Sequence, residues 1–330
     1  MQVTNAGMES ASVLGSARER GRDILGMLLA NKKIAVGLGI VVFFILIALL
    51  APFLTPYQPD AFSSAVALPP SLAHPLGTTR HGEDVFAQLV YGARISLLVG
   101  FCAAIGSTIL QVLFGLTAGY FGGLVDDILS LLINVFLVLP GLPLAIVVAS
   151  FAPIGSNVVL ALILLFTSWA YGARVLRSQT LSLRERDFVA SARSSGEWAW
   201  RIIFSEIMPN EIALVASNFV TTFVYTVGAQ VALEFLGLGD VSKSSWGVML
   251  YWAQLDQALL VGQWWRFIPP GLCVALLCAG LTLVNFGIDE LANPSLHRAK
   301  RVKSKPRTLA RVGVGTVSIV PQHKKERVAS

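Results

Sequence analysis

The sequence predicts an all-α integral membrane protein with six transmembrane helices. Three observations carry this. The 330 residues are 55% hydrophobic and only 13% charged, with a mean hydropathy of +0.69, whereas soluble chains carry about 25% charged residues. Six apolar runs are each long enough to cross, because about 20 helical residues span the hydrocarbon core of a bilayer. The basic residues, which leave a net charge of +6, gather on one side of those runs.

Residues 1–33 form a polar arm holding Arg18, Arg20, Arg22, Lys32 and Lys33. The first span is 34–54. A cleaved signal peptide is not expected, since the arm is too long and the apolar run too extended. Residues 55–93 read as a Pro-rich external loop, with a short surface helix over 84–91. The second span, 95–121, contains Gly115 and Gly119, a G-x-x-x-G spacing that permits close helix contact. Gly122 and Gly123 turn the chain into a third span, whose start holds Asp126 and Asp127, where carboxylates favour a helix N-terminus. That span reaches 151 and holds Pro140, Gly141 and Pro143, so it is expected to kink or unwind there. The fourth span is 158–175, the fifth 212–238 and the sixth 267–286. The loop 239–266 contains Trp246, Tyr251, Trp252, Trp264 and Trp265, residues suited to the lipid headgroup level. Residues 291–330 are a basic tail without a core of their own.

Between spans four and five lies the longest polar interruption, 180–210. Ser182 and Glu185 make a capping-box pattern that starts a helix near Leu183, and Gly196 suits its C-terminus. A second helix passes Trp198, Ile202 and Phe204, and Pro209 is expected to end it. A plain connection needs only a few residues, so this one is expected to dock to something. Six crossings put both termini on one side. The first arm carries five Lys and Arg, the 172–210 loop six and the tail beyond 290 ten, against Arg80, Arg94, Lys243 and Arg266 opposite. The positive-inside rule places the termini and the 180–210 loop in the cytoplasm.

Chemistry is sparse. No G-x-x-x-x-G-K-[ST] phosphate loop occurs, so ATP binding by this chain is not expected. His74, His81, His297 and His323 show no metal-ligand spacing, and no nucleophile elbow precedes a helix. Cys102, Cys273 and Cys278 lie in apolar runs and read as small buried hydrophobes. No cofactor and no nucleic acid is expected. The spans lack the chain of carboxylates a proton-driven carrier uses. Glu234, near the outer end of span five, reads either as an interfacial residue reaching water or as a polar contact on a translocation path. Pro140 and Gly141 are further candidates for that path. The pattern describes a path-forming subunit powered from elsewhere; the competing classes are a secondary carrier or channel, distinguished by working without ATPase partners, and a membrane enzyme, which would need a constellation of polar residues at matched depth that the sequence does not show.

The loop FVASARSSG followed by RIIFSEIMPN resembles the cytoplasmic signature of permease subunits of ATP-binding-cassette importers, specifically the C-type subunit of the dipeptide/oligopeptide class. Ala190, Ser191 and Ala192 occupy the triplet, Gly196 the glycine, Ile203 and Pro209 the closing positions. HPLGTTRHGEDVFAQLVYGARISL, ALEFLGLG with SSWGVML, and NFGIDELANPSL resemble three further segments in the right order. The chain departs from the pattern with Ala190 for Glu, Met208 for Leu, Thr79 and Glu83 for Asp and Arg, and Glu234 for Ser.

The resemblance implies a type I importer (MetI-like) fold in a prokaryotic plasma membrane, with residues 34–290 as the permease domain. It implies a second homologous permease, two ATP-binding subunits that carry ATP and Mg, an extracytoplasmic substrate-binding protein, and surrounding lipid. The cargo classes are peptide, oligosaccharide and metal chelate. A coupling helix over 183–196 would seat in an ATPase cleft, with Phe188, Val189 and Ala192 as apolar docking surface and Arg186, Asp187 and Arg193 as polar rim. The external segments 60–92 and 239–265 would meet the binding protein.

Overall fold

A computed structural model describes residues 31–151 and 156–292. The readings of the 1–30 arm and of the tail beyond 292 lie outside the described residues. All regular elements among the described residues are helical, as a lipid environment requires of a chain that must satisfy its own backbone. In order they are α1 (Lys32–Leu54), α2 (Val85–Phe121), α3 (Gly123–Val138), α4 (Gly141–Phe151), α5 (Asn157–Ser168), α6 (Ala170–Leu183), α7 (Asp187–Ser194), α8 (Ala199–Arg201), α9 (Met208–Phe235), α10 (Trp246–Leu255) and α11 (Ile268–Ala292). A π-helical stretch, Ile202–Ile207, joins α8 to α9. Among the described residues, five continuous helical runs are long and apolar enough to cross a membrane, and the pair α3 and α4 makes a sixth if counted as one broken span.

The bundle has two ends. At one, Asn31 Nδ2 donates to Glu290 at 3.3 Å, so the described chain enters and leaves on the same side. Gly122 and the 184–198 connection share that end, since Arg184 Nη1 donates to the Gly119 carbonyl. At the other end, the 55–84 segment packs against the 239–266 segment, where Ser244 Oγ donates to Asp60 at 2.9 Å.

Helix α2 corrects the expected pairing of a short surface helix with a separate span. It runs unbroken for 37 residues from an Asp84 cap, whose carboxylate accepts from Ala87 N at 2.7 Å. The G-x-x-x-G spacing marks a true contact. A Cβ on Gly115 would sit 2.7 Å from the Ala173 carbonyl, and one on Gly119 would sit 2.6 Å from Thr180 Cβ, so α2 and α6 meet backbone to backbone. Gly37 of α1 is packed in the same way against α11, where a Cβ would sit 2.9 Å from Val284 N.

The break between α3 and α4 exceeds a kink: the two helices meet at 87°. Pro140 cannot continue the ladder of α3, and Leu139 before it takes an extended conformation, as residues preceding proline do. The aromatic loop also departs from expectation. Trp246 and Trp265 are buried in the core with Phe44, Val227 and Leu277 instead of resting at the headgroups. Trp246 Nε1 reaches the Leu89 carbonyl at 3.0 Å, which uses its polar atom inside the fold. Cys273 and Cys278 pack against this core, whereas Cys102 is exposed on the outer face of α2, contrary to its reading as buried.

Gly115→Leu should drive α2 off α6, because overfilling a packed contact costs about 1–3 kcal/mol. The purified protein should melt at a lower temperature than wild type, while Gly39→Leu, whose Cβ site has nothing within 4 Å, should melt with wild type.

Candidate functional site

The polar connection between α6 and α9 is packed against the bundle through a short helix. The capping-box reading of Ser182 does not hold: α6 runs on through Leu183, and Glu185 pairs with Arg184 at 3.0 Å. The free-standing helix is α7, eight residues long, starting at Asp187 rather than 183. Its C-terminus carries the expected glycine. Gly196 has φ +76°. Gly196 N donates to the Arg193 carbonyl at 3.0 Å and Glu197 N to the Ala192 carbonyl at 3.2 Å, the paired bonds of a Schellman stop.

What lies beneath α7 corrects the expected docking face. Val189 is fully buried against Ile202 and Ile207, and Phe188 and Ala192 pack on the same cluster. These three apolar residues fasten α7 to its own chain. Burying a valine stabilises by about 1.5–3 kcal/mol. The face left open carries Arg186, Asp187, Ala190, Ser191 and Arg193. Arg193 lies over the Tyr120 ring, 4.8 Å from its centroid. Ile203 is fully buried with Leu116 and Leu176, so it seats the lever on α2 and α6.

Pro209 does not end a helix. It occupies the first turn of α9, directly after the π-helical stretch. A proline ring inside an α-helix clashes with the carbonyl four residues back, and the wider π turn removes that register. Asn210 Nδ2 then donates to the Glu206 carbonyl at 2.6 Å, a side-chain bond across the junction of the π-helical stretch and α9. The lever is thereby continuous with the long span α9.

A cavity of about 270 Å³ opens at the break between α3 and α4. Gly141 lies in its wall with Thr167, Ser168, Tyr171, Thr221 and Tyr225. A Cβ on Gly141 would sit 2.7 Å from the Tyr225 hydroxyl. The wall is hydroxyl-rich and holds no charged side chain. Behind it, buried Gln111 donates to Thr222 at 2.9 Å, and Ser107 and Ser168 share a bond of 2.6 Å.

Glu234 neither reaches water nor lines this cavity. It is 1% exposed, and its carboxylate accepts from Gln230 at 2.9 Å and Ser245 at 2.7 Å. It ties α9 to the start of α10. Ser245 also caps α10 by accepting from Val248 N at 3.2 Å.

The comparisons with known proteins bear on this geometry directly. A family model described as binding-protein-dependent transport system inner membrane component matches residues 111–297. The chain belongs to this family. A second model, for the N-terminal transmembrane domain of oligopeptide transport permease C, matches residues 20–73. The dipeptide transport system permease protein DppC of Alkalihalophilus pseudofirmus is 34% identical over 278 residues, covering 83% of this chain and 90% of that protein. DppC of Bacillus subtilis is 32% identical over 292 residues, 88% of this chain and 90% of its own. The oligopeptide permease OppC of Bacillus subtilis is 29% identical over 280 residues, 84% and 90% respectively. The chain is thus a multi-pass inner-membrane permease of the peptide importer class, with the all-helical fold of that family, and the family is one of membrane permeases, not of enzymes.

Sequence reasoning missed two polar pairs that frame the lever of this permease. Asp126 accepts from Arg177 Nη2 at 2.7 Å, tying the start of α3 to α6. Glu211, 1% exposed, accepts from Thr180 at 2.9 Å, tying α9 to α6. Each pair joins residues far apart in sequence, and no local pattern signals them.

Val189→Asp would bury an unpaired carboxylate and should free α7 from the bundle. Gly196→Val places a β-branched residue at positive φ, a strain of about 1–2 kcal/mol. Limited trypsin digestion of both variants should cut at Arg193 and Arg201 faster than in wild type.

Proposed function

We propose that this permease forms half of a translocation pathway for peptides, pairs with a second homologous permease, and is driven by two ATP-binding subunits that contact α7. An extracytoplasmic substrate-binding protein delivers the cargo to the opposite end of the bundle. ATP and Mg belong to the partner subunits; this chain supplies the lever and the path wall.

The observation that supports this reading best is the construction of the 184–207 segment. A short helix is fixed from below by Val189, stopped by Gly196 and joined through buried Ile203 to a span. An isolated eight-residue helix in water is marginal, so its packing is what makes it rigid enough to transmit a push. Packed elements switch between discrete arrangements instead of deforming continuously. Displacing α7 would therefore move α6 and α9 together, and α6 and α9 both contribute walls of the cavity through Tyr171, Thr221 and Tyr225.

The cavity chemistry fits a peptide better than an ion. Hydroxyl groups can exchange hydrogen bonds with a passing peptide backbone of any sequence. With no fixed charge in the wall, neither charged termini nor charged side chains are trapped. The basic residues Arg174, Arg177, Arg184, Arg186, Arg193 and Arg201 at the α7 end support a cytoplasmic position for that end.

Two outcomes follow. In the reconstituted complex, Ala190→Trp should block the seat of α7 on an ATPase subunit, because Ala190 is small and exposed. Binding-protein-stimulated ATP hydrolysis should fall at least about tenfold, a loss of about 1.4 kcal/mol or more in coupling; unchanged stimulation would remove α7 from the coupling role. Gly141→Leu should fill the cavity at the break and abolish peptide uptake into proteoliposomes while ATP hydrolysis persists. Uptake at the wild-type rate would place the path elsewhere.

A further inference from the structure

At the end of the bundle away from α7, a cavity of about 410 Å³ lies between the 60–88 and 241–266 segments. Three aromatic side chains, Phe62, His81 and Trp252, stand in its wall. Phe62 and His81 meet edge to face with centroids 6.1 Å apart, and His81 meets Trp252 in the same way at 6.1 Å. Two carboxylates, Asp60 and Glu83, also line it. Each is held by one neighbouring hydroxyl: Thr79 donates to Glu83 Oε2 at 2.8 Å and Ser244 to Asp60 Oδ1 at 2.9 Å. The other oxygen of each has no partner among the described residues.

The basic residues at the same cavity are already matched. Arg266 is buried and bonded to Asp256, and Lys243 lies 3.8 Å from Asp240. The charge left over at the cavity is therefore negative, inside an aromatic frame. Carboxylates beside aromatic faces select a cation, and a guanidinium or ammonium satisfies both. The cavity is lined by the 60–83 and 241–266 segments, α10 among them, and by the first turn of α2, and it shares no residue with the cavity at Gly141.

We infer that this cavity receives an Arg or Lys side chain of the docked substrate-binding protein, with Glu83 and Asp60 as its counter-ions. The inference rests on the docking reading above and adds the residue chemistry by which this permease accepts its own partner. Charge pairs at an interface rim set approach and specificity more than area does.

The test uses the full complex in nanodiscs and the peptide-loaded binding protein of the same transporter, with dissociation constants measured at low and raised salt. Asp60→Asn with Glu83→Gln keeps the hydroxyl bonds and should raise Kd about tenfold at low salt, flattening its salt dependence. Glu83→Lys should weaken docking further. A reciprocal Arg→Glu or Lys→Glu change at the binding-protein residue that photo-crosslinks to position 62 should restore it. Kd values within twofold of wild type for both permease variants would overturn the inference. So would an unchanged Kd with altered transport of cationic peptides alone, which would assign the cavity to cargo. If the wild-type complex fails to bind the protein at all, the docking reading itself falls, an outcome distinct from normal docking by the variants.

Discussion

The burial of Val189 beneath Ile202 and Ile207 is the contact on which the proposed coupling depends. It converts eight residues of surface helix into a part of the transmembrane bundle. Without it, α7 would be a tethered flap, and a push on it would be absorbed by the loop. With it, the helix packs directly on the π-helical stretch that runs on into the span α9. The Schellman stop at Gly196 serves the same end, since it turns the chain back so that Ile202 and Ile207 of the π-helical stretch pack beneath α7.

The same economy recurs at the other end. Glu234 is a carboxylate spent on structure: it accepts from Gln230 on its own helix and from Ser245 at the cap of α10. Trp246 follows directly, with its backbone N donating to Ser96 Oγ at 3.2 Å and its ring in the core. Span α9 is thus fixed at both ends, to α6 through Glu211 and Thr180 and to α10 through Glu234 and Ser245. Between them lies the hydroxyl-rich wall of the cavity. A long helix gripped at both ends transmits a displacement along its length with little loss.

Much of this was legible in the sequence, and the reasons are specific. The spans were readable because lipid imposes long apolar runs, and Gly196 was readable because positive φ selects glycine. The break at Pro140 was visible as a position, but its 87° angle depends on what α4 packs against. The direction of the Val189 face was misread, since an apolar stripe on a short helix looks the same whether it meets a partner or its own chain. Pro209 was misread because a π turn, invisible in composition, relieves the clash that normally ends a helix. Trp246 was assigned to the membrane surface on residue type alone, and a tertiary hydrogen bond to Leu89 decided otherwise. Asp126 with Arg177, and Glu211 with Thr180, depend on residues brought together only by folding.

The rigid joining of α7 to the bundle is most directly measured by the distance between spin labels at exposed Ser191 on α7 and exposed Ile212 on α9, in the reconstituted complex with and without ATP. If the lever is one body, the distance distribution stays within ~2 Å and equally narrow in both states, while the α7-to-ATPase geometry changes around it. A shift or broadening of more than ~5 Å between states would show α7 moving independently of the spans, and the account would fail.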